Sequence, residues 1–217
     1  MKLKDALWKY KHVLLALYIP IYMYCFAWLE RRQDVNFVDI HCFIDDWIPF
    51  CEIFIIPYLL WFIYMVVIVF FLFLCTEHLE DFYRCAIMLM LGMSTCLLIY
   101  YLFPNMQSMR PEHLDQSNIF IHLINFIYES DTNTNVLPSI HVYNAVATHV
   151  AFCKSYYIRE RKALKYTSGI LCILICLSTM FLKQHSFWDV VTALTLFGVY
   201  YCLVYWWGAK RKETTST

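Results

Sequence analysis

Apolar residues in this chain come in long unbroken runs, neither alternating nor confined to one helical stripe. Six runs stand out, at residues 12–29, 53–75, 85–103, 136–153, 166–182 and 187–207. About 20 apolar residues carry a helix across a bilayer, and a helix that is apolar on every face belongs in a core or a membrane. Runs 53–75, 85–103 and 166–182 hold no formal charge, 187–207 holds only Asp189, and 136–153 contains His141 and His149. The pattern predicts an all-α polytopic membrane protein, a bundle of six transmembrane helices in one integral domain over 1–217. Its core is expected at about 50–207, with a tail at 208–217. No small-residue cleavage site follows the first run, so it reads as a retained helix and not a signal peptide.

The connecting segments orient the bundle. With the N-terminus cytoplasmic, the inner segments hold Lys2, Lys4, Lys9, Lys11, Arg84, Lys154, Arg159, Arg161, Lys162, Lys165, Lys210, Arg211 and Lys212. The outer segments then hold Arg31, Arg32, Arg110 and Lys183. Positive charge concentrates on the cytoplasmic side of membrane proteins, so both termini are expected inside, with His113, Arg110, His141 and His185 outside. Residues 31–50 mix charge with Trp47 and read as an interfacial element. In the long outer loop 104–137, the stretch 119–128 is too short to span and reads as a short helix over the outer face.

Composition narrows the class. The chain has 217 residues, 61% hydrophobic, 19% aromatic and 16% charged, with net charge 0. Soluble domains carry about a quarter charged residues, and a neutral balance gives nucleic acid nothing to bind. The ten cysteines lack metal-ligand spacing, and most sit within apolar runs as small hydrophobes; Cys42 and Cys51 are an open pair outside the membrane. No HExxH, Gly-rich phosphate loop or Gly-x-Ser-x-Gly occurs, so no metal or cofactor is expected. A homo-oligomer is compatible with the sequence.

Two histidine motifs open two of the runs: Pro138-Ser139-Ile140-His141 and His185-Ser186-Phe187-Trp188-Asp189. A carboxylate in a transmembrane run is costly unless paired, and residues four apart share a helix face. Asp189 can therefore hold one ring nitrogen of His185 and leave the other free to attack. Pro138 suits a first helical turn, Ser139 offers a hydroxyl, and His141 is placed to protonate a departing alkoxide. Arg110 offers a planar fork for phosphate oxygens, and Lys183 lies two residues before His185. The two helix N-termini add partial positive charge. Each feature alone is compatible with capping, packing or solvation. Together on one face they suggest phosphoryl transfer on a membrane-embedded substrate. His149 reads as an interhelical hydrogen-bonding group.

These residues resemble the type 2 phosphatidic acid phosphatase superfamily, whose motifs are Lys-x6-Arg-Pro, Pro-Ser-Gly-His and Ser-Arg-x5-His-x3-Asp. Here they stand as Arg110-Pro111, Pro138-Ser139-Ile140-His141, and Ser178-Thr179 followed by His185 and Asp189. The resemblance implies that His185 is the nucleophile of a phosphohistidine intermediate, Asp189 its orienting carboxylate and His141 the general acid. It also implies that Arg110 and Ser139 bind phosphate, without a metal. Phe103, Ile140 and Thr179 stand where the family pattern has lysine, glycine and arginine, and Lys183 is the candidate replacement for a missing cation. The expected activity is hydrolysis of lipid phosphate monoesters or diphosphates at the extracytoplasmic face of a cell membrane. The alternative is head-group transfer of the sphingomyelin or inositol phosphorylceramide synthase type.

Overall fold

The structure, a computed structural model, describes residues 15, 17–111, 114 and 118–207, with backbone alone at 206 and 207. The start of the first apolar run, Glu112, His113 and the tail 208–217 lie outside the described residues. Eight α-helices form within them. They are α1 (Tyr18–Glu30), α2 (Phe43–Trp47), α3 (Ile55–Leu74), α4 (Leu79–Leu102), α5 (Ile119–Ser130), α6 (Ile140–Lys154), α7 (Lys162–Phe181) and α8 (Phe187–Tyr201). A π-helical turn, Cys202–Trp207, continues α8. One element was not anticipated: a parallel pair of two-residue strands, β1 (Val38–Asp39) and β2 (Asn105–Met106), ties two connecting loops together.

In hydrocarbon a backbone has no water to bond, so an apolar run closes its own hydrogen bonds as a helix even when its side chains are β-branched or aromatic. The sequence of α3, IIPYLLWFIYMVVIVFFLFL, does so over 20 residues. Its Pro57 falls in the first turn, where a missing N–H breaks no helical bond. Among the described residues four helical segments are long and apolar enough to cross a membrane: Glu52–Leu74, Thr76–Leu102, Lys162–Phe181 and Phe187–Tyr205. At most 33% of any of their apolar windows is buried inside the protein. Phe62, Ile63, Val67 and Phe70 of α3 face outward. Such a surface is stable against lipid and not against water, so the protein is membrane-embedded.

Of the six expected spans, four meet this measure among the described residues. α6 has 15 residues, or about 22 Å of rise, against about 30 Å of hydrocarbon; α1 is described over 13. The third span starts earlier than its apolar run, because the charged turn containing Glu80, Asp81 and Arg84 is also helical. Arg84 there pairs with Glu80 at 3.6 Å. The stretch 119–128 does form a short helix, α5, whose N-cap Asn118 accepts from the Phe120 N–H at 2.9 Å.

Short α6 is the hub. It packs against α3, α4, α7 and α8, and Val142, Tyr143, Asn144, Ala145 and Thr148 are fully buried. Small residues let backbones approach. On α4, a Cβ on Gly92 would sit 1.9 Å from Tyr143 Cε1, while the Tyr143 hydroxyl donates to the Met88 carbonyl at 2.8 Å. His149 is the expected interhelical link, with Nδ1 2.9 Å from Ser168 Oγ on α7. Cys42 and Cys51 are both free thiols.

Candidate active site

Three local devices build the site at one end of the bundle. First, Asn105 fixes the loop before α6. Its Oδ1 accepts from the Val136 and Leu137 N–H groups, both at 2.8 Å. Tyr100 of α4 donates to the Pro138 carbonyl at 2.6 Å. Ser139 is then the N-cap of α6, its Oγ accepting from Val142 N–H at 3.3 Å. Pro138 therefore precedes the cap and does not lie in the first turn.

Second, a tight reversal joins α7 to α8. The Thr179 carbonyl accepts from both Gln184 N–H at 2.9 Å and His185 N–H at 3.0 Å. Lys183 sits at φ 52, a left-handed conformation uncommon for a residue with a Cβ. Its ammonium donates to the carbonyls of Asp45 at 2.7 Å and Ile48 at 2.6 Å, tying the reversal to the α2 loop. Burial lowers the Lys183 ammonium below its ordinary value, against the opposing pull of Asp45 and Asp46.

Third, Asp45 of α2 caps α8. Its carboxylate accepts from the Ser186 hydroxyl at 2.6 Å, Phe187 N–H at 2.7 Å and Cys42 N–H at 2.8 Å. Burial alone would raise the Asp45 carboxyl, but these bonds override it and hold it below the usual value. The α8 N-terminus is thus filled by protein carboxylates and is not open to phosphate, contrary to the sequence expectation.

On this scaffold the two histidine motifs meet. Asp189, fully buried, accepts at Oδ2 from Ser186 N–H at 2.9 Å and lies 3.0 Å from His185 Nδ1. Since a carboxylate only accepts, Nδ1 carries the proton and Nε2 a lone pair. Nε2 lies 3.4 Å from His141 Nδ1, which the same logic makes the donor. Ser139 N–H donates to the Asp189 carbonyl at 3.1 Å, binding the second motif to the third. The His141 ring packs beside Tyr58 and Trp61, with centroids at 4.9 and 4.3 Å.

His141 and His185 stand at the head of a cavity of about 870 Å³, at the upper end of the usual range for small-molecule sites. Its shaft is apolar and runs between α1, α3 and α4, from Phe82 to Tyr100 along α4, about 27 Å of helix. Its head carries Asp131, Asn135, Asn144 and Gln184 beside the histidines. The other expected residues stand behind this wall. Asp189 and Ser139 back the two histidines. Arg110 Nη1 donates to the Tyr128 carbonyl at 3.0 Å, and Nη2 to those of Asp131 at 2.7 Å and Thr132 at 2.9 Å. Arg110 Nη2 also donates to Gln184 Oε1. Burial lowers the Arg110 pKa, against the opposing charge of Asp131. Lys183 is directed to the α2 loop.

Sequence reasoning missed Asp45, Trp61, Asn144 and Gln184. Asn144 follows His141 by three positions on one helix, a spacing that would have found it; Asp45 and Trp61 come from distant segments with no such signal. Trp61 Nε1, Asn144 Nδ2 and Oδ1, and Gln184 Nε2 are buried without a hydrogen-bond partner. Each such group costs about 1–3 kcal/mol. Among the described residues no group of three or more His, Cys, Asp or Glu side chains is arranged to hold a metal.

The fold and site define a class: a membrane-embedded helical bundle with an oriented histidine pair at the head of an apolar cavity. The PAP2 superfamily profile matches residues 83–213, more than half of the chain, and the chain belongs to that superfamily, whose members are phosphatases or phosphotransferases. No curated protein and no solved structure matches the chain.

Proposed function

We propose that the protein is an integral membrane enzyme that cleaves a phosphoric ester of a lipid through a phosphohistidine on His185. The observation that carries this reading is the cavity, an apolar shaft of lipid length ending at two histidines. His185 Nε2 attacks phosphorus as the bond to the leaving oxygen breaks, and His141 gives that oxygen its proton. Asp189 stabilises the charge that develops on His185. An incoming hydroxyl then gives its proton to His141 and attacks phosphorus, freeing Nε2. Arg110 and Ser139 support the phosphate end, Arg110 from behind Gln184. The chemistry needs no metal. In this reading α1 and α6 complete six crossings, both termini are cytoplasmic, and the site opens on the extracytoplasmic face.

If water resolves the intermediate, the protein is a lipid phosphatase; if a lipid alcohol does, it is a head-group transferase. The second reading is favoured by the commitment of Arg110 and Lys183 to protein oxygens. The test is a panel of lipid phosphates with purified protein in detergent, with and without an alcohol acceptor, reading free phosphate and new lipid products. Release of neither from any lipid, by folded protein, would overturn the reading.

A further inference from the structure

We propose that Asn144 and Gln184, with Trp61, form a neutral cradle for the non-bridging phosphate oxygens, one that takes a singly charged lipid phosphodiester in preference to a doubly charged monoester. This rests on the reading of the cavity as a lipid-phosphate site. Gln184 is 2% exposed and Asn144 0%, and both lie in the cavity wall beside the histidines. Arg110 donates to Gln184 Oε1, so the other end of that amide is the NH2 group. That NH2 has no partner, and neither does any polar atom of the Asn144 side chain. Trp61 contributes a third unpartnered N–H, its ring 4.3 Å from His141.

Buried donors of this kind are satisfied in native proteins. Three of them around one histidine pair mark the position of an acceptor-rich ligand group, and a phosphate offers such oxygens. The charge balance then selects the ligand. Arg110 is bonded to three carbonyls and Gln184, and Lys183 to two carbonyls. Two carboxylates stand close by, Asp131 in the wall and Asp189 behind His185. Neutral donors can satisfy oxygens without neutralising charge, and a second buried negative charge without a cation is strongly disfavoured. Phe103 and Thr179, in place of the family's lysine and arginine, are the same trade made twice in the sequence.

The test uses full-length His185→Ala protein in detergent, which binds without turnover. Three probes share one chain: hexadecyl methyl phosphate, hexadecyl phosphate and hexadecanol. At pH 8 hexadecyl phosphate is a dianion, its second pKa being about 6. Calorimetry should show the methyl diester binding at least about tenfold tighter than the monoester, and the gap should close at pH 5. At pH 5 both phosphates are monoanions, so the charged groups at the site, His141, Asp131 and Asp189 among them, act on both alike. Asn144→Leu and Gln184→Glu should each weaken the diester by about 10- to 100-fold, as expected for a lost hydrogen bond to a charged group. Gln184→Glu keeps an acceptor for Arg110, and hexadecanol binding should not change in either variant. Tighter binding of the monoester at pH 8, or unchanged diester affinity in both folded variants, overturns the cradle alone. If hexadecanol matches both phosphates in the His185→Ala protein with Asn144 and Gln184 intact, the lipid-phosphate reading falls and the cradle with it.

Discussion

Replacing Asp45 by alanine removes the acceptor of three donors, the Ser186 hydroxyl and Phe187 N–H at the start of α8, next to His185, and the Cys42 N–H at the start of α2. The Ser186 hydroxyl can rotate to another acceptor; the Phe187 and Cys42 N–H groups cannot. Two orphaned N–H groups at about 1–3 kcal/mol each, plus the lost interaction with the helix N-terminus of about 0.3–1 kcal/mol, give about 2–7 kcal/mol. For a chain of this size 1 kcal/mol moves Tm by about 2–4 °C, so the apparent Tm should fall by at least about 4 °C. Asp45→Asn, which keeps the shape and one acceptor, should lose about 1–2 kcal/mol. Since the capped turn carries His185, kcat should fall in both variants with KM little changed. The pH dependence has a definite sign. Asp45 is held below its ordinary pKa, so its stabilisation is complete above the unfolded value of about 4 and is lost as pH falls through the lower folded value. The Tm difference between the parent protein and Asp45→Ala should therefore be full at neutral pH and narrow only below about pH 4. An unchanged Tm and kcat in Asp45→Ala would refute the role assigned to this carboxylate.

Three further outcomes are expected. His185→Ala should form no phosphoenzyme and Asp189→Asn should lose about 10⁴-fold in rate, while His141→Ala, down about 10²–10⁴-fold on a lipid, should recover on p-nitrophenyl phosphate, whose leaving group needs no proton; equal losses on both substrates would show the roles to be wrong. Gly92→Ala should destabilise by about 1–3 kcal/mol or more, because its Cβ enters the Tyr143 ring, and thermal unfolding equal to the parent's would contradict that packing. Single cysteines at positions 162 and 113 should be labelled by an impermeant reagent at 113 alone from outside; labelling at 162 with protection at 113 would invert the orientation.

The apolar runs, the histidine motifs and the short helix near 119–128 were legible in the sequence. Their signals are local: a run's length and a spacing of four between His185 and Asp189. Local signals also named His141 and His185 as partners, since each opens a run at the same expected face. The chain alone could not say that Arg110 lies behind Gln184, that Lys183 reaches back to the α2 loop, or that Asp45 fills the helix N-terminus offered to phosphate. Arg110 and Lys183 depend on where a long side chain is directed, Lys183 by a left-handed turn, and Asp45 on a contact across 141 residues of chain.

Residues 1–82 lie outside the family match, yet they supply Asp45, Trp61 and much of the cavity wall. Hydrophobicity commits a segment to the membrane one run at a time, because lipid rewards each helix separately. Whether a polar atom is satisfied depends on atoms brought from several runs at once. Only packing around α6 could therefore reveal which donors were left without a partner.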